Sequence, residues 1–223
     1  MHTSETSHCR ARLAPFCSGY GLDVGYGGDK ITPSAISVDL PMPYTNVGGD
    51  PLNLGGVGEN LYWFRDGVLD FVFSSHLLED YPPAQTADVI REWLRVLKIG
   101  GHLILYLPHE MRYRAHCKET GQPYNQAHQA EDMSLPYLKK ILEEVGGTEV
   151  VHEDPSCEKY SFEIVACKIL HHDGTVLPSY DTALIGAYER RIAIFENSLS
   201  WKLTRPLRVG KQLLRSLLSK ALS

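Results

Sequence analysis

Residues 19–28 read Gly-Tyr-Gly-Leu-Asp-Val-Gly-Tyr-Gly-Gly, and residues 35–39 read Ala-Ile-Ser-Val-Asp. The first stretch is a short buried strand (Gly21 to Val24) running into a glycine loop. The second is a strand that ends on a carboxylate. Gly25, Gly27 and Gly28 let the chain turn sharply and approach a ligand where a Cβ would collide. Asp39, closing the second strand, is placed to accept both hydroxyls of a ribose. The loop lacks the Gly-x-x-x-x-Gly-Lys-Ser/Thr pattern of a triphosphate cradle. The dinucleotide fingerprint fails too, because Lys30 stands where its third glycine or alanine belongs. Asp23, two residues before the first loop glycine, would repel a pyrophosphate and suits a cation. These features fit S-adenosylmethionine, which carries a sulfonium, an ammonium and a ribose but no phosphate.

Composition narrows the class further. A chain of 223 residues with 43% hydrophobic and 22% charged residues can build one sizeable globular core. A net charge of −5 argues against general nucleic-acid binding. The five cysteines (9, 17, 117, 157 and 167) are scattered without a Cys-x-x-Cys pair. That argues against a disulfide framework or a structural zinc site and leaves a reducing cytoplasm as the expected setting. The polar opening, Met-His-Thr-Ser-Glu-Thr-Ser-His, has no apolar core and is not expected to act as a signal peptide, and no apolar run approaches the length of a bilayer span.

Along the chain, a helical pattern runs from Cys9 to Ser18. Only about ten residues separate Gly25 from the strand at Ala35–Asp39, too few for a full crossover helix. Val47 is expected to open a brief third strand, followed by Asp50-Pro-Leu-Asn-Leu. Val68 to Phe73 reads as a strong buried strand running into Ser74-Ser75-His76-Leu77-Leu78-Glu79-Asp80. Ala84 to Leu97 is an amphipathic helix with Val89, Trp93, Val96 and Leu97 on one stripe, which Gly100-Gly101 is expected to stop. A strand follows at His102–Leu107. The polar segment His109–Asp132 shows little periodicity and is expected to be a substrate loop. Ser134 caps a helix reaching Val145, and the last strands fit Thr148–His152 and Ser161–Leu170. Strands alternating with helices imply an α/β domain with a mostly parallel sheet covered on both faces.

The ordered set Leu-Asp-Val-Gly-Tyr-Gly-Gly, Val-Asp, Leu-Asp-Phe-Val-Phe-Ser-Ser-His-Leu-Leu-Glu-Asp and Trp-Leu-Arg-Val-Leu-Lys-Ile-Gly-Gly-His-Leu resembles the class I S-adenosylmethionine-dependent methyltransferases of type 11. The likeness covers roughly residues 10–170. It implies a Rossmann-like, doubly wound, seven-stranded sheet with its last strand antiparallel and the cofactor at the carboxyl ends of the first four strands. Carried over by position, Asp23, Gly25, Tyr26 and Gly27 would line the methionine moiety, and Asp39 would take the ribose. Asp50 would hydrogen-bond the adenine amino group with Leu52 packed nearby, and Ser74, Ser75 and His76 would pass beside the adenine and the sulfur. Two positions depart from the family: Tyr26 replaces the usual cysteine or serine, and Asp80 stands where histidine often closes the Ser-Ser-His motif. The short first crossover and the Asn197–Arg208 segment are similar to enzymes of bacterial O-antigen and capsule assembly. That resemblance implies O-methylation of a sugar, with glycan or small-molecule acceptors.

Methyl transfer to a hydroxyl needs a base near neutral pH, a task suited to histidine. His109, directly after a strand, and His128, ahead of the next helix, are the better-placed candidates. His109, His116, Cys117 and His128 match no ligand spacing, so no metal is expected. Residues 1–172 are expected to form the catalytic domain and 173–223 a helical extension, with Tyr180–Phe195 joining the core to a tail. The tail, from Asn197 onward, has no acid and carries Lys202, Arg205, Arg208, Lys211, Arg215 and Lys220. Such a basic amphipathic tail suits an anionic membrane at the inner face of the cell, and equally a helix docked on its own domain or on a second copy in a homodimer. Two other classes stand beside the enzyme reading. One is a non-catalytic methyltransferase-like partner or scaffold for glycosyltransferases. The other, a nicotinamide oxidoreductase, lacks both the third glycine and a Tyr-x-x-x-Lys pair.

Overall fold

The computed structural model describes residues 4–41, 49–170 and Arg190. In chain order the elements are α1 (Glu5–Leu13), β1 (Gly21–Val24), β2 (Ile36–Asp39), β3 (Leu54–Gly55), β4 (Leu69–Ser75), α2 (Pro83–Val96), β5 (Leu97–Pro108), α3 (Glu110–Thr120), α4 (Leu135–Val145), β6 (Thr148–Cys157) and β7 (Ser161–Lys168). The strands form one seven-stranded sheet in the order β3-β2-β1-β4-β5-β7-β6. β1 to β5 pair in parallel, and β7 runs antiparallel to both β5 and β6. Chain order reverses between β1 and β4, and in such sheets the crevice outside the carboxyl ends at that switch point takes the ligand.

Successive side chains of a strand point to opposite faces, so each central strand feeds two cores. Leu22, Val24, Val72, Leu103, Leu105, Phe162 and Ile164 pack with Val89, Ile90, Trp93 and Leu94 of α2 and with Leu138, Ile141 and Leu142 of α4. On the other face Phe71, Phe73, Ile104, Tyr106 and Val165 meet Cys9 and Leu13 of α1, together with Ile31 and Ala35. No helix lies between β1 and β2, in agreement with the short spacing. Instead α1 covers that face, pinned to the β1–β2 connection: Asp29 accepts from Ser4 Oγ and pairs with Arg10. α1 begins four residues earlier than the apolar pattern suggests, because Ser4 caps it by accepting from Ser7 N at 3.0 Å.

Two further expectations are corrected. α2 ends at Val96, and Gly100-Gly101 lies within β5 at a register shift against β4 instead of stopping a helix. The stop comes from Lys168 on β7, whose Nζ donates to the carbonyls of Leu94 and Leu97 at 2.7 Å each. These are carbonyls at the end of a helix that has run out of its own donors. The segment expected as a loop opens with α3, whose buried positions Glu110, Tyr113 and Cys117 recur at helical spacing. The third strand is Leu54–Gly55, while Val47, the junction at 172–173, the Tyr180–Phe195 helix and the 197–223 tail lie outside the described residues.

Lys168 is almost fully buried, so its charge is tolerated only because helix carbonyls surround it. Lys168→Met is expected to lower stability by about 2 kcal/mol, since it strands those carbonyls. Urea unfolding would show this as a lower midpoint at unchanged slope; an unchanged midpoint would mean the three-way contact contributes nothing net.

Candidate active site

The glycine loop leaves β1 at its carboxyl end. Gly25, Gly27 and Gly28 all have positive φ (72°, 58° and 98°), the region only glycine enters freely. At Gly25 a Cβ would also sit 2.7 Å from the Leu77 side chain, so the loop and the segment after β4 touch at van der Waals limits. Gly25 N donates to Val38 O at 2.8 Å, and Gly27 N donates to Asp39 Oδ2 at 3.2 Å. Asp39 Oδ1 accepts from Leu40 N at 2.7 Å. The carboxylate that ends β2 is therefore fixed against the loop.

Asp23 is fully buried in β1. Its Oδ2 accepts from Ile31 N at 2.7 Å, while Oδ1 has no partner. Burial pushes this carboxyl up to about 8, outweighing the Ile31 N–H and the positive charge of Arg10, which favour the ionised form. Tyr26 is buried and its hydroxyl donates to the backbone carbonyl of Asp50. Asp50 itself precedes β3, meets the loop through backbone (its N donates to Gly28 O at 3.3 Å), and has an exposed side chain. Leu52 is half-buried beside it in sequence. The residues that follow β3 at its carboxyl end are Gly56 to Glu59. There Gly58 O accepts from Trp93 Nε1 at 2.8 Å, and Glu59 accepts from Tyr81 Oη at 2.9 Å.

On the β4 side, Ser74 Oγ donates to Val24 O at 2.9 Å and ties the ends of β1 and β4 together. Ser75 Oγ is buried without a partner. His76 sits in the left-handed region (φ 51°), turned by its N–H to Tyr106 O. Its ring packs against Tyr106 and Tyr160, and burial lowers it to about 4, so it is neutral. His109 caps the start of α3; its N–H donates to Tyr160 O, its Nδ1 is buried without a partner, and burial lowers its pKa.

His128 has a side chain only 4% exposed, with Nδ1 2.9 Å from Glu110 Oε2. Glu110 is the residue the sequence did not offer. Burial alone would raise its carboxyl, but hydrogen bonds from Tyr124, Arg114 and His128 outweigh that and hold it below the usual range. Glu79 was missed as well: it is fully buried on the turn after β4, and both its oxygens lack partners. Its carboxyl is raised by burial. Among the described residues one group of potential metal ligands clusters, Asp154, Cys157 and Glu163. Arg12 already pairs with Glu163 at 2.9 Å, and His152 Nε2 lies 2.9 Å from its other oxygen.

The model for the methyltransferase domain family matches residues 45–105, the stretch carrying β3, β4, α2 and much of β5. Solved structures agree over a longer span. A methyltransferase of Archaeoglobus fulgidus that depends on S-adenosylmethionine shares 17% identity over 73% of this chain and 94% of its own, with a TM-score of 0.55. Magnesium protoporphyrin IX methyltransferase from Synechocystis, solved with S-adenosylhomocysteine, shares 16% over 73% and 81%, at 0.51. The Haloferax volcanii protein solved in complex with the Trm112 methyltransferase activator shares 16% over 76% and 90%, at 0.52. The fold is that of the S-adenosylmethionine-dependent methyltransferases. No curated protein sequence matches significantly.

Within this methyltransferase fold, Asp23 supplies a pH signature. The folded carboxyl keeps its proton up to about pH 8, whereas an unfolded one releases it near about pH 4. The folded state thus binds more protons across that window, so its stability is full below about pH 4 and falls as pH rises toward about 8. Asp23→Asn is expected to flatten this decline, giving a smaller loss of melting temperature than wild type between pH 5 and pH 8. Parallel curves would show that Asp23 ionises normally.

Proposed function

We propose that the protein is a methyltransferase that uses S-adenosylmethionine to methylate a sugar hydroxyl in surface-polysaccharide assembly. The observation that supports it most is the junction of the glycine loop with Asp39 at the switch point of the sheet, where Gly27 N meets the Asp39 carboxylate. Asp39, at the end of β2, stands where a ribose would be bound, and the unpartnered Oδ1 of buried Asp23 suits a polar ligand atom. Asp23, Gly25, Tyr26, Gly27 and Asp39 form the methionine and ribose wall in this reading. Ser74, Ser75 and His76 form the opposing wall, and Asp50 and Leu52 form the adenine end. The methyl sulfonium is already activated, so the protein's own contribution is to align the acceptor and take its proton. His128, already bonded to Glu110, is the better-supported base, and His109 stands at the adjoining end of β5.

The sugar acceptor rests on the likeness of the tail to polysaccharide enzymes. Glycan intermediates carried on lipid would bring the substrate to the inner face of the membrane, where the basic segment 197–223 would hold the enzyme beside glycosyltransferases. No helix among the described residues is long and apolar enough to cross a membrane.

Calorimetric titration with S-adenosylmethionine and S-adenosylhomocysteine tests the core of this reading. Micromolar binding that weakens about tenfold or more in Asp39→Ala is expected. No heat from a folded sample would favour the non-catalytic scaffold. Separately, removing residues 197–223 is expected to leave cofactor affinity intact while abolishing co-sedimentation with anionic vesicles. Undiminished sedimentation would return the tail to a helix docked on protein.

A further inference from the structure

Residues 25–28 read Gly-Tyr-Gly-Gly, and the three glycines all take positive φ. Glycine loses more backbone freedom on ordering than any other residue, so a turn of this composition needs support from outside. A helix following the turn would supply it, but no helix lies between β1 and β2. The turn's only side chain is that of Tyr26. It is 3% exposed, and its hydroxyl donates to the backbone carbonyl of Asp50. Asp50 N returns a bond to Gly28 O at 3.3 Å, so the turn and the segment leading into β3 are clipped together. What Tyr26 grips is itself anchored. Asn53 Oδ1 accepts from Lys30 Nζ at 2.6 Å and from Ser37 N of β2 at 3.0 Å, while Asn53 N donates to Ser37 Oγ at 2.9 Å. On the other flank, α1 holds the connection through Arg10, which pairs with Asp29 and donates to Lys30 O at 3.0 Å.

We propose that Tyr26 is a positioning residue: its hydroxyl straps the glycine turn to Asp50 and so holds the Gly27 N–H and the Asp39 carboxylate in the arrangement that receives the cofactor. This deepens, and rests on, the methyltransferase reading. Tyr26 then gives its backbone to the methionine wall and its side chain to the strap. Burial, with Asp50, Asp23, Asp39 and Asp29 around it, raises the phenol, so it stays protonated and keeps donating at neutral pH. Beyond Gly25 the turn's own main-chain bonds are long, 3.3 Å from Asp50 N to Gly28 O and 3.4 Å from Asp29 N to Tyr26 O. Both exceed the usual N–H···O range and are poor substitutes for a buried side-chain bond. A cofactor that meets an ordered turn does not have to supply the free energy of ordering it.

Backbone nitrogen-15 relaxation on the full-length protein, without ligand, reads the strap directly. In wild type the Gly27 and Gly28 amides are expected to be as rigid as the sheet, with order parameters of about 0.85. In Tyr26→Phe, which keeps the ring and removes only the hydroxyl, they are expected to fall toward about 0.6 while Val72 and Leu103 in the sheet are unchanged. Unchanged order at Gly27 and Gly28 overturns the proposal. Calorimetry with S-adenosylhomocysteine supplies the second arm. The variant is expected to bind about tenfold more weakly than wild type, the worth of one net hydrogen bond. A lower melting temperature with order parameters and affinity both unmoved would make Tyr26 merely structural. Failure of wild type to bind sinks the methyltransferase reading, whereas equal binding by wild type and Tyr26→Phe sinks only this one.

Discussion

The face of the sheet that carries Phe71, Phe73, Ile104 and Tyr106 must be covered, and the connection between β1 and β2 is too short to do it. Every parallel sheet of this kind needs both faces buried. Here the covering helix is borrowed from residues 5–13 and fastened by Asp29, which holds Ser4 and Arg10, and by Glu163, which accepts from Arg12 Nε at 2.9 Å. The glycine loop inherits its position from this arrangement: with α1 as the cover, the chain between Gly25 and Ala35 is free to run as turns. It can present backbone N–H groups to Asp39 instead of committing them to a helix.

Buried charge is handled in two contrasting ways. Glu92 is matched to Arg95 through a two-pronged contact at 2.6 and 2.9 Å and also accepts from Leu61 N, which clamps the chain before β4 to α2. Glu163 is matched by Arg12 and His152. Asp23 and Glu79 are as deeply buried yet have unpartnered oxygens, and both titrate upward. The matched acids hold elements together, whereas the unmatched ones flank the carboxyl ends of β1 and β4. Incomplete satisfaction there is what a site awaiting polar ligand atoms looks like.

Most of the sheet was legible because its strands are dense in Val, Leu, Phe and Ile and bounded by glycine or proline, as at Gly21–Val24 and Leu69–Ser75. Ser134 announced α4 by its capping side chain. α3 was illegible because its buried stripe is Glu110, Tyr113 and Cys117, held by hydrogen bonds and aromatic contacts instead of aliphatic side chains. The end of α2 was misread for a different reason: its cap, Lys168, lies more than seventy residues away in sequence (|i−j| of 74 to Leu94). Within the crevice, the glycine loop and Asp39 could be read from residue type and spacing. Glu110 and Glu79 could not, since a carboxylate's burial and partners are set by tertiary packing.

The borrowed cover also dictates an order of assembly. α1 leaves the ribosome first, but its partners at Tyr160 and Glu163 are separated from Glu5 and Arg12 by 155 and 151 residues. Contacts of such long range form late, so during synthesis the first helix has only its nearer partners, such as Asp29, Ile31 and Ala35, until β7 has emerged. The hydrophobic face built by Phe71, Phe73 and Ile104 is incompletely covered over that interval. For this chain the newly made polypeptide is therefore most vulnerable to aggregation just before the sheet is completed, and a chaperone that shields the same face would act in that window.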